Sequence, residues 1–506
     1  MGASPPGAAD MGAVGRGMAR GAAWMVAMRL VVRCASLINM MVLARLLVPE
    51  DFGLIAMAMI FVGAVDIFSE FNFDVALIRK QNADRADYDT AWTLSIIRGC
   101  VVALILLALA MPAADLFEEP RLSMLIVGLS APSLLVGFQN IGVVDFRKSL
   151  DFRRDFLFMA SGKVAAVVVT IGLALVWQNY WALVGGMIGG KLWRVGASYI
   201  MHPFRPRLSL ARWRELFAFT KWLLLHNILL YCRNRADRLV IGKMLGAVTL
   251  GVYTLAFDLA NLVTSELMAP IRRALYPGYA RIAGQPGQMR SLFVDIFALT
   301  LWIGAPIPIV IGLLAEPLVG LLLGSGWGDV VPITQLLVIA GFFTLLSSGS
   351  QPIYLATGRP EIQTMLMGLS VLLLLPALLV GVSLLGATGA AIALIVVQTL
   401  IAFFDIAIVI YLLKVDIGDI IRTCWRCLAS LGLMAVSVQA IVRFWPENEG
   451  YVADASLLLT ALIAAGATYL GCSLSLWRLL GPDHGPERHI WRAGNDLITA
   501  LRAKLA

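Results

Sequence analysis

The sequence predicts an all-α polytopic membrane protein with about 14 transmembrane helices. Apolar stretches of about 20 residues or more, the length that crosses a bilayer, recur from about Gly21 to Gly471. Hydrophobic residues make up 59% of the 506 residues and charged residues 14%, against about 25% charged residues in soluble domains. The mean hydropathy is +0.83. The links between the stretches are too short to form a separate catalytic domain.

The predicted spans follow one another along the chain with little sequence between them. Each is a run of apolar residues bounded by charged, glycine- or proline-containing segments. They lie at about 22–47, 53–78, 89–113, 122–144, 156–177, 180–201, 217–245, 251–271, 292–323, 331–356, 362–384, 387–413, 424–444 and 452–475.

Basic residues alternate between the links, and this pattern predicts the orientation. The even-numbered links and both ends carry about 26 Lys and Arg, while the odd-numbered links carry about 2. The positive-inside rule therefore places both termini in the cytoplasm. The net charge of +8 reflects this topology, so we expect no nucleic-acid partner.

An internal repeat appears when the chain is shifted by 198 residues. Trp24 then falls on Trp222, Cys34 on Cys232 and Gly53 on Gly251. Because the shift moves the pattern by six spans, both copies have the same orientation in the membrane. The repeat predicts two six-helix lobes related by pseudo-two-fold symmetry around a central cavity, plus two C-terminal helices.

These patterns divide the chain into six predicted regions. They are a cytoplasmic N-terminal segment (1–20), an N-terminal six-helix lobe (21–201), a basic cytoplasmic inter-lobe linker (202–216), a C-terminal six-helix lobe (217–414), two additional transmembrane helices (415–476) and a cytoplasmic amphipathic tail (477–506).

Charged residues inside the predicted spans are the candidate functional residues. A charge in the membrane interior costs at least about 2.5–3.5 kcal/mol, so each needs a partner or a hydrated cavity. Counting from the first outer turn sets Arg33 level with Asp66, and Arg29 level with Glu70. Ion pairs that hold the helix bundle together are one explanation of such charges.

The basic residues outnumber the acidic ones in spans 1 and 7, and this surplus favours a cationic cavity that binds an anionic group. The expected substrate-binding residues are Arg29, Arg33, Lys221, Arg233, Arg235 and Arg238. The expected ion-coupling or charge-pairing residues are Asp66, Glu70, Asp237, Asp258 and Glu266. We expect no catalytic residues, no metal ligands and no cofactor.

Short segments in both halves resemble those of one known family. They are Ala44-Arg45-Leu46-Leu47-Val48-Pro49-Glu50-Asp51-Phe52-Gly53-Leu54, Val75-Ala76-Leu77-Ile78-Arg79, Asp237-Arg238-Leu239-Val240-Ile241-Gly242, Leu275-Tyr276-Pro277 and Ala356-Thr357-Gly358-Arg359. In this order, over about residues 20–415, they resemble the bacterial lipid-linked oligosaccharide flippases, the Wzx-like polysaccharide transporter family of the multidrug/oligosaccharidyl-lipid/polysaccharide exporter superfamily.

The resemblance implies a transporter of the bacterial inner membrane and not an enzyme. It would flip an undecaprenyl-diphosphate-linked oligosaccharide repeat unit by alternating access, for export of lipopolysaccharide, capsule or exopolysaccharide. The implied partners are this lipid-linked substrate, membrane lipids, and the polysaccharide polymerase and export machinery. The diphosphate matches the anion that the cationic cavity predicts.

Three other functions stay open at this point. A multidrug exporter of the same superfamily would favour an aromatic, acid-lined cavity, which the arginine-rich spans do not predict. A peptidoglycan-precursor flippase is a close relative of the first interpretation. A membrane glycosyltransferase, polymerase or ligase would need a sizeable outer loop with catalytic residues, whereas the outer loops here are about ten residues at most.

Overall fold

The structure is a computed structural model, and the described residues in it are 8–68, 77–78, 80, 83–149, 151–213, 221–261, 279, 281–282, 285–446 and 450–480. These residues form helices and connecting turns, with no strand among them. The chain divides into two compact units, Met1–Gly251 (unit 1) and Val252–Ala506 (unit 2).

Unit 1 is built from seven helices and most of an eighth. They are α1 (Ala8–Leu46), α2 (Pro49–Phe68), α3 (Arg85–Phe117), α4 (Arg121–Gly137), α5 (Val144–Lys148), α6 (Phe152–Trp177), α7 (Trp181–Met201) and α8 (Lys221–Ala260), which runs past the end of the unit. A 3₁₀ turn, Ile141–Val143, connects α4 to α5.

Unit 2 contains the remaining helices. They are α9 (Pro286–Gly304), α10 (Pro306–Leu313), α11 (Ala315–Leu322), α12 (Val330–Leu346), α13 (Ser350–Ala356), α14 (Pro360–Leu413), α15 (Ile417–Phe444) and α16 (Tyr451–Leu480). The predicted span 292–323 is divided into α9, α10 and α11. Pro306 and Pro317 explain the division, because proline lacks the N–H that continues a helix and its ring clashes with the preceding turn.

Membrane-length helices confirm the all-α polytopic fold. Within the described residues, nine helices are long and apolar enough to cross a membrane, and α4 with the bent segment after it makes a tenth. The 54 residues of α14 would span about 80 Å as one straight helix, which is enough for two crossings. It is broken at Gly386, whose φ of 61° favours glycine, and this break falls in the predicted link between spans 11 and 12.

Two turns of unit 1, the α1–α2 turn and the break in α8, meet in a contact that follows the 198-residue repeat. A Cβ atom at Gly53 would lie 1.7 Å from the carbonyl oxygen of Ala247. A Cβ atom at Gly251 would lie 1.9 Å from the carbonyl oxygen of Pro49. Gly251 is the repeat partner of Gly53, and Ala247 is the repeat partner of Pro49. The two contacts are therefore equivalent under the repeat, as in an isologous interface.

Ion pairs and a break in α8 surround these two turns. The predicted link 246–250 contains that break, at Gly246 with a φ of 80°. Lys243 Nζ lies 2.7 Å from Glu118 Oε1, and Arg121 Nε lies 2.7 Å from Glu119 Oε1. The hydrogen bond from Arg121 holds the pKa of Glu119 below its usual value. Acids and bases are thus paired at this end of unit 1.

The glycines of α7 allow a close approach to α6. A Cβ atom at Gly186 would lie 1.7 Å from Thr170 Oγ1, and one at Gly190 would lie 2.5 Å from Ala166 Cβ. Small residues spaced four apart let helix backbones approach closely in a membrane. These glycines therefore serve helix packing. The close packing of α7 on α6 also sets the position of the other α7 side chains.

The basic linker is attached to unit 1 over its described part, 202–213. The backbone N–H of Arg207 donates to Asp89 Oδ1 at 2.8 Å, and that of Ser209 donates to Thr93 Oγ1 at 2.9 Å. Asn140, fully buried, donates from Nδ2 to the carbonyl oxygen of Phe204 at 2.7 Å. The linker is held by these polar groups at the ends of α3 and α4.

Candidate substrate site

A polar cavity of about 280 Å³ lies inside unit 1. Helices α2, α3, α4 and α7 line it, mostly with small and apolar residues such as Met59, Ser133 and Met187. Three charged side chains also line it: Asp66, Arg98 and Lys191. Each comes from a different helix, so these charges are brought together by helix packing and are not neighbours in the sequence.

The acid of this cavity is held against the arginine of α3. Arg98 Nη2 lies 3.5 Å from Asp66 Oδ1 and 3.4 Å from the carbonyl oxygen of Asp66. Arg98 approaches the α2 backbone as well as the carboxylate. This positions its guanidinium group at the cavity wall, with 26% of its side chain exposed against 44% for Asp66.

The third charged group, Lys191, comes from α7 and interacts electrostatically with both Asp66 and Arg98. Gly186 and Gly190, which pack against α6, also lie on α7, so they set the distance between α7 and α6. Among the described charged residues that line the cavity there are two cations and one anion. After one ion pair is counted, one positive charge remains among these described residues.

The surplus of positive charge among the described lining residues is complementary to an anionic group. A guanidinium group binds two oxygens of a phosphate or carboxylate at once, and an ammonium group adds a compact positive charge. Cavities that enclose drug-sized ligands have volumes of about 300–1,000 Å³. A cavity of about 280 Å³ suits an anionic headgroup and is too small for a whole oligosaccharide.

The predicted residues in α1 and α8 lie on long helices of unit 1. Arg29 and Arg33 of α1 are half-buried, as are Arg233 and Arg235 of α8. Arg238 and Asp237 of α8 are buried, and the Arg238 backbone N–H donates to Asp237 Oδ1 at 2.8 Å. Among the predicted residues whose side chains the structure describes, Asp66 alone lines the cavity.

The remaining predicted residues divide into two groups. Asp258 is exposed and belongs to unit 2. Lys221 begins α8, but its side chain lies outside the described residues, as do Glu70 and Glu266 and the tail 481–506.

The candidates drawn from the sequence include neither Arg98 nor Lys191. The signal for Arg98 is its position, about four turns into the 33-residue apolar helix that begins at Arg85. A basic residue so far from a helix end cannot reach the interface easily and needs a partner inside the protein. The pairing with Asp66 required the packing of α2 on α3.

Comparison with known families identifies the chain. A family model described as "Polysaccharide biosynthesis protein" matches residues 42–332, more than half of the chain. The chain belongs to the polysaccharide biosynthesis protein family. The match begins at the end of α1 and covers all four helices that line the cavity.

Several members of the family with curated descriptions are similar over most of their length. The lipopolysaccharide biosynthesis protein WzxC of Escherichia coli (strain K12) is 24% identical over 400 residues, covering 76% of this chain and 80% of WzxC. The succinoglycan biosynthesis transport protein ExoT of Rhizobium meliloti (strain 1021) is 24% identical over 59% of this chain and 61% of ExoT. The teichuronic acid biosynthesis protein TuaB of Bacillus subtilis (strain 168) is 22% identical over 79% of this chain and 83% of TuaB.

Solved structures share the fold at low identity. The lipid II flippase MurJ in an inward closed conformation matches with a TM-score of 0.68 and 11% identity, over 90% of this chain and 98% of MurJ. A multidrug resistance MATE transporter in an inward-facing conformation matches with a TM-score of 0.59 and 15% identity, over 75% of this chain and 94% of the transporter. The family therefore has the helical transporter fold seen in these two proteins.

Proposed function

We propose that this protein flips an undecaprenyl-diphosphate-linked oligosaccharide repeat unit across the bacterial inner membrane by alternating access. Export of lipopolysaccharide, capsule or exopolysaccharide would depend on it. The observation that carries the proposal is the cavity of unit 1, where Arg98 and Lys191 outnumber Asp66. Membership of the polysaccharide biosynthesis protein family, and relatives described as polysaccharide biosynthesis and transport proteins, support it.

The chemistry of the substrate matches this site. The diphosphate is the charged part of the lipid-linked sugar, and its oxygens suit the planar fork of Arg98. The volume of the cavity admits this headgroup, so the sugars would occupy a wider hydrated path. Moving the group requires binding and release but no covalent step, so we propose a transporter without catalytic residues.

The other predicted charges extend this proposal along the same path. We infer that the arginines of α1 and α8 continue the cationic surface and that the acids either pair with them or couple transport to an ion gradient. The proposed architecture is the two six-helix lobes with two added helices, both termini in the cytoplasm. Polysaccharide polymerase and export machinery are the proposed partners.

Two competing functions are separated by the substrate. A peptidoglycan-precursor flippase would also bind a diphosphate but would be required for wall synthesis. A multidrug exporter would bind organic cations, and a cavity with surplus positive charge would repel them. The cationic balance of the cavity thus favours an anionic substrate over a drug.

The first experiment is mass spectrometry of polyprenyl-diphosphate sugars in cells that lack the gene, together with measurement of surface polysaccharide. We expect complete repeat units to accumulate and the surface polymer to disappear. A normal lipid-linked pool with intact polymer would contradict the proposal. Arrested wall synthesis with an accumulated peptidoglycan precursor would replace it with the related flippase.

Variants then connect the function to the cavity. Lys191→Met removes the surplus charge while keeping a long apolar stem, and Arg98→Lys keeps the charge but loses the fork. Charged hydrogen bonds contribute about 1.5–3 kcal/mol, so each change should slow flipping by about 10–100-fold. Arg153→Met, at an exposed position of α6, is the matched control. Wild-type polymer from both cavity variants at equal membrane levels would refute the site.

A further inference from the structure

A buried carboxyl group lies in unit 2, in the second half of α14. Asp405 has 3% of its surface exposed and lies about two turns before the end of the helix at Leu413. It is the one acidic residue of α14 after Glu361 in the first turn. Neither the predicted charge set nor the cavity of unit 1 includes it.

Hydroxyl groups surround this carboxyl group. Tyr354 Oη, fully buried, donates to Asp405 Oδ1 at 2.7 Å and lies 3.2 Å from the Asp405 carbonyl oxygen. The hydroxyl groups of Ser347 and Ser350 neighbour the same carboxyl group. Within the described residues, no group donates a hydrogen bond to the buried Oδ2 atom.

The helices packed against Asp405 bring no described basic side chain to it. The α12 sequence contains no titratable residue. Helix α9 carries Arg290, which is paired with Asp419, and Asp295, which faces Tyr279. Tyr354 of α13 is the titratable neighbour that touches the carboxyl group.

The two protonation states of Asp405 differ in the charge that they place in this pocket. The hydroxyl groups of Tyr354, Ser347 and Ser350 can donate to the carboxyl group, but no described basic side chain offsets a negative charge on it. An ionised Asp405 would therefore bury a charge without a cation beside it, which is unfavourable. The neutral form buries no charge and keeps the hydrogen bond from Tyr354.

The segment that supplies the hydroxyl groups is a separate short piece of the chain. Ser347 and Ser350 lie in and directly after the 3₁₀ turn Ser347–Gly349, which connects α12 to α13. The residue Gly358, with a φ of 71°, ends the segment on its other side. These two points bound segment 347–356, which holds Tyr354 against Asp405 of α14.

We propose that Asp405 is a proton-binding site that couples the proposed transport to the proton gradient, with Tyr354 and the two serines as its cage. This inference rests on the proposed function for its role and on the geometry of unit 2 for its existence. The neutral acid holds one proton on Oδ2. When segment 347–356 moves away, water receives this proton and the carboxylate is left hydrated, so charge and atoms balance in the step.

Infrared difference spectroscopy of the purified full-length protein in lipid vesicles, between acidic and alkaline buffer, tests the site without any substrate. We expect a carbonyl band of a protonated carboxylic acid that disappears in Asp405→Asn. Tyr354→Phe should move the band to higher frequency, because the carbonyl loses its donor. Glu361→Gln, exposed on the same helix, is the control and should leave the band unchanged.

Two results would overturn the proton site. One is a band that persists in Asp405→Asn. The other is a band that responds to sodium but not to pH, which would assign the cage to a metal cation. Normal binding of the cage variants to a conformation-sensitive antibody shows that both remain folded.

A transport measurement separates the coupling from the proposed function. Surface polymer in cells given a protonophore should fall in the wild type, whereas Asp405→Asn should be slow with and without it. If the amount of wild-type polymer does not change with the protonophore, proton coupling is contradicted and the flippase function is not. If no surface polymer requires the gene, the proposed flippase function is contradicted. The infrared result would still decide whether Asp405 binds a proton.

Discussion

Alanine at Gly53 should push apart the two turns of unit 1 that meet at Gly53 and Ala247. The new Cβ atom would lie 1.7 Å from the carbonyl oxygen of Ala247, and real Cβ atoms essentially never come within 3.0 Å of such an atom. The carbonyl group must therefore withdraw by at least 1.3 Å. It belongs to the backbone beside the break at Gly246, so it cannot rotate away as the end of a side chain would.

Helix propensity and the steric clash have opposite effects on the free energy of unfolding of Gly53→Ala. Glycine to alanine inside a helix gains about 1 kcal/mol from helix propensity, and Gly53 lies inside α2. Overpacking in a well-packed interior costs about 1–3 kcal/mol, and the cost rises when only backbone can yield. The clash should win. We expect Gly53→Ala to lower the stability of the purified protein by roughly 1–2 kcal/mol.

Thermal unfolding in detergent, followed by intrinsic tryptophan fluorescence, measures this change. Gly172→Ala is the matched control, because it lies in helix α6 and a Cβ atom there meets nothing within 4 Å. It should raise the unfolding temperature slightly. Gly251→Ala should behave like Gly53→Ala, since its Cβ atom would meet the Pro49 carbonyl oxygen at 1.9 Å. If Gly53→Ala is as stable as Gly172→Ala, the close contact of the turns is refuted.

Three further changes test other parts of unit 1. Gly186→Val should separate α7 from α6 and abolish stable expression, measured as detergent-stable monomer, because the added carbon would meet a side chain at 1.7 Å. Asn140→Ala should cost about 1–3 kcal/mol in thermal unfolding and expose the linker to protease, because the buried N–H of Gly142 loses its acceptor, Asn140 Oδ1, and the Phe204 carbonyl oxygen loses one of its donors. Glu119→Gln should remove a small stabilisation, below about 1 kcal/mol, that Arg121 provides. Since the pKa of Glu119 is lowered in the folded protein, this stabilisation is present above the ordinary carboxyl pKa and lost as pH falls through the lowered value, so wild type and variant should converge in acid.

The order and length of the helices could be predicted from the sequence because apolar length is a local property. The predicted links at 246–250 and 385–387 coincide with breaks at Gly246 and Gly386, where a positive φ interrupts a helix. The predicted spans 22–47 and 292–323 overlap the membrane-length segments Ala27–Leu46 and Pro286–Leu313. The helix that contains the first of these segments starts earlier, at Ala8.

The candidate site was less predictable because it depends on which helices become neighbours. Counting residues from a turn gives the depth of Asp66 but not the helix that faces it. The structure sets Arg98 of α3 beside it. The pairing needs the packing of α2 on α3, and the contribution of Lys191 needs the glycine contacts of α7. Contacts between helices such as these cannot be read from the sequence of a single span.

The repeat explains why fold and site differ in this respect. Gly53 and Gly251 match under the 198-residue shift and make equivalent contacts, so the repeat conserves the packing of the turns. The charges of the cavity do not follow it: under the same shift they fall on the uncharged residues Thr264, Ile296 and Gly389. Conversely, Asp405 of unit 2 falls on Arg207 in the linker. A duplicated scaffold thus carries different chemistry in its two halves, a cationic cavity in one and a buried acid in the other.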